Sequence, residues 1–137
     1  MIRLPYPPST NRYWRSFRGR MVRSKVAVDY KQDVQTIAIE AGVALHHGCV
    51  EVVMILCPAL PKDWQKRCKK DPLWALGVRR IDLDNAQKVA LDALQGIAYD
   101  NDRQITKLSI SLGEPVEAGA LKVGIKEDCN WRNGNGI

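Results

Sequence analysis

Acidic residues are missing from the first 28 positions of this chain, the first of several absences that narrow its role. No apolar run approaches the ~20 residues needed to cross a bilayer. Met1 to Pro5 has no apolar core of the signal-peptide kind. The expectation is a cytoplasmic protein with no membrane partner. Cysteine occurs only at 49, 57, 68 and 129, and no two stand at zinc-knuckle spacing. Reduced thiols are expected, with Cys49 and Cys57 bracketing a strand. The two histidines, His46 and His47, are adjacent and read as surface residues at a helix end. There is no phosphate-binding glycine loop, dinucleotide fingerprint or Ser-His-Asp set, so no organic cofactor is expected.

What is present points to a polyanion. The net charge is +6, and fourteen of the twenty-one basic residues fall in two blocks. The first carries Arg12, Arg15, Arg18, Arg20, Arg23 and Lys25. The second, Lys62 to Arg80, carries Lys66, Lys69, Lys70, Arg79 and Arg80, against only Asp63 and Asp71. Such blocks are the electrostatic footprint of nucleic-acid binding, or else solvated loops. Neither has the amphipathic period of a membrane-surface helix. Trp14 lies in the first block, and Trp64 and Trp74 in the second. These rings either stack on bases or wedge a duplex end, or pin long loops to the core.

The 137 residues, 45% of them hydrophobic, suit one globular domain, expected over 1–127. The polar stretch Asp128 to Ile137 is expected to be a flexible tail. Ile2 to Pro8 reads as a strand entering a proline turn. Ser9 to Arg23 reads as a basic loop or hairpin turning at Gly19. Ser24 is a plausible N-cap for a helix with Ala27, Tyr30, Val34, Ile37, Ala38 and Ala41 on one stripe. It ends at Gly42 or runs on to Leu45. Val50 to Cys57 is a buried strand, stopped by Pro58. Lys62 to Val78 has no clear period and is expected as a long loop with at most a short helix. Asn85 to Gln95 reads as a second helix ending at Gly96. Two alternating strands, around Leu108 to Leu112 and Leu121 to Ile125, are expected to form a hairpin through Gly113 to Gly119. The order β-α-β-α-β-β predicts an α+β domain, with two helices on one face of a mixed sheet.

The densest chemistry lies in Arg79-Arg80-Ile81-Asp82-Leu83-Asp84-Asn85-Ala86-Gln87-Lys88. On an extended segment Asp82 and Asp84 leave the same face. Lys88 follows Asp84 by one helical turn. With Asp102 downstream, these oxygen donors suit Mg²⁺, with Mn²⁺ able to substitute. The expected ligands are Asp82, Asp84 and Asp102, with Asn85 hydrogen-bonding a carboxylate or water behind them. The ion would generate hydroxide from water and stabilise a leaving oxygen, and Lys88 would stabilise transition-state charge or orient the water. The competing reading makes Asp84 an N-cap, Asp84–Lys88 a surface pair, and Asp100 and Asn101 turn residues. Asp92 continues the i, i+4 series and reads as a surface partner of Lys88.

The segment Leu4-Pro5-Tyr6-Pro7-Pro8-Ser9-Thr10-Asn11-Arg12-Tyr13-Trp14 resembles the opening of the RusA family of Holliday-junction resolvases. So do Asp82-Leu83-Asp84-Asn85-Ala86-Gln87-Lys88 with Asp92-Ala93-Leu94, and Tyr99-Asp100-Asn101-Asp102-Arg103-Gln104-Ile105. By position, the family's metal-binding aspartates fall on Asp82, Asp84 and Asp102, and its catalytic lysine on Lys88. The family often has two adjacent aspartates where this chain has Asn101-Asp102, which leaves Asp100 as an alternative third ligand. The Lys62 to Val78 stretch looks longer than the matching loop of short members. The resemblance implies a homodimeric, Mg²⁺-dependent endodeoxyribonuclease cutting four-way DNA junctions, nucleoid-associated when on DNA and plausibly of prophage origin. Two rival readings are a DNA-binding module without catalysis and a metal nuclease preferring flaps or forks.

Overall fold

The computed structural model describes residues 1–131. Its main sheet has four strands in the order β1-β6-β4-β5: β1 (Ile2–Leu4), β4 (Val50–Cys57), β5 (Ile105–Leu112) and β6 (Ala120–Glu127). The eight-residue run VEVVMILC makes β4 the most apolar strand, and it takes the centre. It pairs antiparallel with β6 (Met54 opposite Val123) and parallel with β5 (Met54 opposite Ile110). The expected hairpin of the last two strands is therefore wrong, because β4 lies between them. A parallel pair needs a long crossover, supplied here by the chain between β4 and β5. The link after β5 passes the end of β4, where Gly113 N–H donates to Leu56 O at 2.8 Å.

Two long helices cover one face, as expected. The helix α2 (Lys25–Glu40) starts at Ser24, whose hydroxyl accepts from Ala27 N at 3.2 Å. It stops at Gly42, which takes φ +73°, a conformation glycine adopts without strain. The helix α4 is Leu83–Leu94. Tyr30, Val34, Val89 and Leu94 from these helices pack with Val52, Met54 and Leu56 of β4 in one core. Among the described residues there are also two short helices, α1 (Thr10–Tyr13) and α3 (Trp64–Lys70). A two-stranded hairpin joins β2 (Trp14–Phe17) to β3 (Arg20–Arg23). Its turn is Arg18-Gly19, both at positive φ (51° and 75°). The second basic block thus holds α3 and a 3₁₀ turn at Trp74–Gly77, which its lack of period concealed. No helix of the described residues is long and apolar enough to cross a membrane. Of the expected tail, residues 132–137 lie outside the described part. Asp128 is tied to the sheet, donating its N–H to Cys49 O and accepting from the Thr106 hydroxyl.

Candidate active site

The chain enters α4 on extended backbone, with Asp82 at φ −64° and ψ 145° as N-cap. This moves the helix start two residues ahead of the Asn85 expected from the sequence and makes Asp82, not Asp84, the cap. Both are capping residue types, and only the backbone decides between them. The Asp82 carboxylate makes no capping hydrogen bond, so both its oxygens remain available. Asp84 lies in the first turn, where the helix dipole favours a negative charge. Lys88 Nζ stands 3.3 Å from Asp84 Oδ2, with both side chains well exposed. Asn85 is half-buried beside them. Asp84 and Lys88 therefore pair at an exposed helix start that Asp82 precedes; Asp84 lies in the helix, so the extended segment expected to put both aspartates on one face ends at Asp82.

What fixes this helix start is Tyr6. Its hydroxyl accepts from the Ile81 N–H at 2.8 Å, one residue before Asp82. A Cβ on Gly119 would come within 2.7 Å of the Tyr6 ring, so glycine there lets the ring sit close. Tyr30 adds a second tie by donating to Pro5 O at 2.7 Å. The proline segment thus lines an open cleft of about 570 Å³ running from Arg12 and Asp29 to Ile81. The sequence puts Tyr6 in a motif without assigning it a task, since a tyrosine between prolines carries no signal of where its hydroxyl lands.

Asp102 opens the short 3₁₀ turn Asp102–Gln104, capped by Asn101, which accepts from Arg103 N at 2.9 Å. The Asp102 charge acts on the Tyr99 hydroxyl, which burial, first, and nearby carboxylates push above its ordinary range. That hydroxyl donates to Leu91 O. Among the described residues, no three His, Cys, Asp or Glu side chains form a group that could hold a metal ion. Asp82, Asp84 and Asp102 are therefore not brought together as one cage. Mg²⁺ needs no such cage, since one or two carboxylates plus substrate phosphate suffice. The exposed, all-oxygen pair at Asp82 and Asp84 fits that chemistry. Asp100, the alternative third ligand, is engaged by His47 Nδ1 at 2.7 Å.

Asp92 does not pair with Lys88. It turns inward, and Arg23 holds it bidentately, Nε to Oδ2 at 2.7 Å and Nη2 to Oδ1 at 2.6 Å. The Tyr13 hydroxyl also donates to it. Burial alone would raise the Asp92 pKa, but hydrogen bonds from Arg23 and Tyr13, with the Arg23 and Lys31 charges, hold it below the usual carboxylate range. Lys31 Nζ donates to Asp92 O and Gln95 O, capping the carbonyl end of α4. Arg23 therefore ties the basic hairpin to α4 as well as adding charge. The other predicted phosphate contacts, Arg12, Arg15, Arg18, Arg20, Lys25, Lys66, Lys69, Lys70, Arg79 and Arg80, are all exposed. Arg15 and Arg18 flank the Phe17 ring at 5.3 and 5.2 Å. Trp14 is half-buried against Tyr13 and Arg23, an anchor of the hairpin base.

An α+β domain with exposed carboxylates and a lysine at one helix start, flanked by basic loops, has the chemistry of proteins that handle nucleic-acid phosphates. The comparisons with known proteins make this specific. The family model "Endodeoxyribonuclease RusA" matches residues 5–126, and the chain belongs to that family. It is 31% identical over 129 residues to "Crossover junction endodeoxyribonuclease RusA" of Escherichia coli K12, covering 90% of this chain and 94% of that one. A protein of the same name from E. coli O139:H28 is 30% identical, and one from Enterobacteria phage 82 is 32% identical, each with the same coverage.

Proposed function

We propose that this chain is a divalent-metal-dependent endodeoxyribonuclease that resolves four-way DNA junctions by paired symmetric nicks, acting as a homodimer. The observation that carries the reading is the start of α4, where Asp82, whose carboxylate makes no capping bond, stands two residues before the exposed Asp84–Lys88 pair. Asp82 and Asp84 are the residues that would hold Mg²⁺ or Mn²⁺, and Asp102 would have to move towards them to serve as a third ligand. The ion, when bound, supplies Lewis-acid stabilisation of charge on the scissile phosphate. Tyr6 holds the approach to Asp82 in place. Lys88, poised beside Asp84, stabilises negative charge growing on the phosphoryl oxygens. Asn85 orients groups behind the carboxylates.

The exposed cations of the hairpin and of Lys62 to Arg80 hold DNA phosphates and supply the salt-sensitive affinity. A junction needs two matched cuts, and a two-fold dimer with one site per subunit provides them. The names of the relatives support this substrate, and a protein acting on chromosomal DNA belongs in the cytoplasm at the nucleoid. The test is cleavage of a labelled synthetic four-way junction with Mg²⁺, beside linear duplex and flap controls. Wild type is expected to make paired nicks in the junction, and Asp82→Asn to bind it without cutting. Equal loss of binding and cutting in a folded Asp82→Asn would overturn the division of roles. Preferential cutting of flaps would overturn the substrate.

A further inference from the structure

The segment between β4 and α4 holds an exposed apolar tip that the site above does not use. The helix α3 and the 3₁₀ turn Trp74–Gly77 contain no buried residue and pack on each other. Their seam is the Trp64–Trp74 pair, with ring centroids 6.3 Å apart. The tryptophans therefore face one another and are only half-exposed. The residues that project are Leu73 and Leu76, each 65% exposed. Asp71 stiffens the tip, accepting from Leu73 N at 2.9 Å through its side chain and from Trp74 N at 3.1 Å through its carbonyl. Lys66, Lys69 and Lys70 stand exposed on the adjoining helix.

Resting on the junction-nuclease reading, we propose that Leu73 and Leu76 form a wedge that inserts at the branch point of the DNA and unstacks the bases there. Three features favour DNA over another occupant. Leucine is one of the side chains used to pry base steps apart. The lysines beside the tip complement phosphates and would repel the same face of a second copy. The reach is also right: Leu76 lies six residues from Asp82, so the two are at most roughly 20 Å apart. At ~3.4 Å per base step that is about six base pairs, close enough for one protomer to hold the branch point while Asp82 meets a nearby phosphate. The Trp64–Trp74 seam makes the platform rigid, so the wedge is ready before DNA arrives.

The experiment uses four-way junctions with 2-aminopurine either at the branch point or in the middle of an arm, in the absence of divalent metal. Wild type is expected to raise the branch-point fluorescence about twofold or more and leave the arm signal unchanged. The Leu73→Ala/Leu76→Ala variant should bind the junction within about threefold of wild type and lose that rise. With Mg²⁺ it should nick the intact junction about tenfold more slowly, yet nick a junction with unpaired bases at its centre at the wild-type rate. A variant that opens the branch point as wild type does, or is equally slow on the unpaired centre, overturns the wedge. So does a variant whose oligomeric state falls, which makes the tip an interface between copies. A wild type that neither binds nor nicks any junction refutes the underlying reading instead.

Discussion

Replacing Arg23 with alanine removes both guanidinium donors from Asp92, a carboxylate only 17% exposed. Breaking a fully buried ion pair by deleting one partner costs about 3–5 kcal/mol. Here the Arg23 side chain is 43% exposed, so solvent screens the pair. Asp92 also keeps the Tyr13 hydroxyl. Discounting by about half gives about 2 kcal/mol. At ~2.1 cal/mol/K per residue, the 137 residues unfold with an entropy near 0.3 kcal/mol/K, so Tm should fall by about 7 °C. The assay is a double-mutant cycle of Arg23→Ala and Asp92→Ala by thermal and urea unfolding. The pH dependence adds a second check. Asp92 is held below the usual carboxylate range, so the stability it contributes is present above its unfolded pKa of about 3.9 and lost as pH falls through the lowered value. The gap between wild type and Asp92→Asn should be constant near neutral pH and shrink in acid below about pH 4. Additive single effects, with coupling under about 0.3 kcal/mol, would refute the pair as the hairpin's anchor.

Three further outcomes follow from other parts of the fold. Tyr6→Phe leaves the Ile81 N–H without its acceptor and should cost about 1–2 kcal/mol in unfolding experiments, while lowering junction nicking more than junction affinity. Gly119→Ala sets a Cβ 2.7 Å from the Tyr6 ring and 3.2 Å from Ala59 N at φ +71°, so unfolding assays should show a destabilisation of at least ~2 kcal/mol. The triple change of Arg15, Arg18 and Arg20 to alanine should flatten the log–log salt dependence of duplex-arm binding by about 0.9 for each phosphate no longer neutralised, read by titration across salt concentrations.

Much of this architecture was legible because it rests on local signals. Ser24 announced α2, and its three- and four-residue apolar spacing gave the buried face at Ala27, Tyr30, Val34 and Ala38, while Ala41, the last of that stripe, is an exposed C-cap. The alternation of the last two strands was equally clear. Their pairing was not, because a loop of hairpin length also spans the two strand spacings needed to straddle β4. The i, i+4 spacing of Lys88 and Asp92 allowed a pair, but Arg23, distant in sequence, offered Asp92 a bidentate partner within the fold. The Asp84–Lys88 contact followed from helix geometry alone. Asp102 shows the limit of motif order, which aligns residues along the chain without bringing their side chains together.

The helix α4 carries both halves of the proposed function, which makes their spacing a mechanical quantity. Asp84 is in its first turn, and Asp92, eight residues on, is the anchor of the basic hairpin. At ~1.5 Å per residue the helix sets them roughly 12 Å apart along its axis. On the proposed reading, phosphates held by Arg15, Arg18 and Arg20 would be offset from the carboxylates by a rigid element rather than a loop. Cutting Arg23 from Asp92 leaves those three cations in place but frees the hairpin. Junction affinity and its salt slope should then stay close to wild type, while nicking falls about tenfold or more, since misplacement by about 1 Å can cost about a hundredfold in rate. Comparing Arg23→Ala with Arg23→Lys separates charge from anchoring, because lysine restores the charge without the bidentate fork. If Arg23→Lys restores nicking in full, the residue acts through its charge, and the hairpin is not positioned by α4.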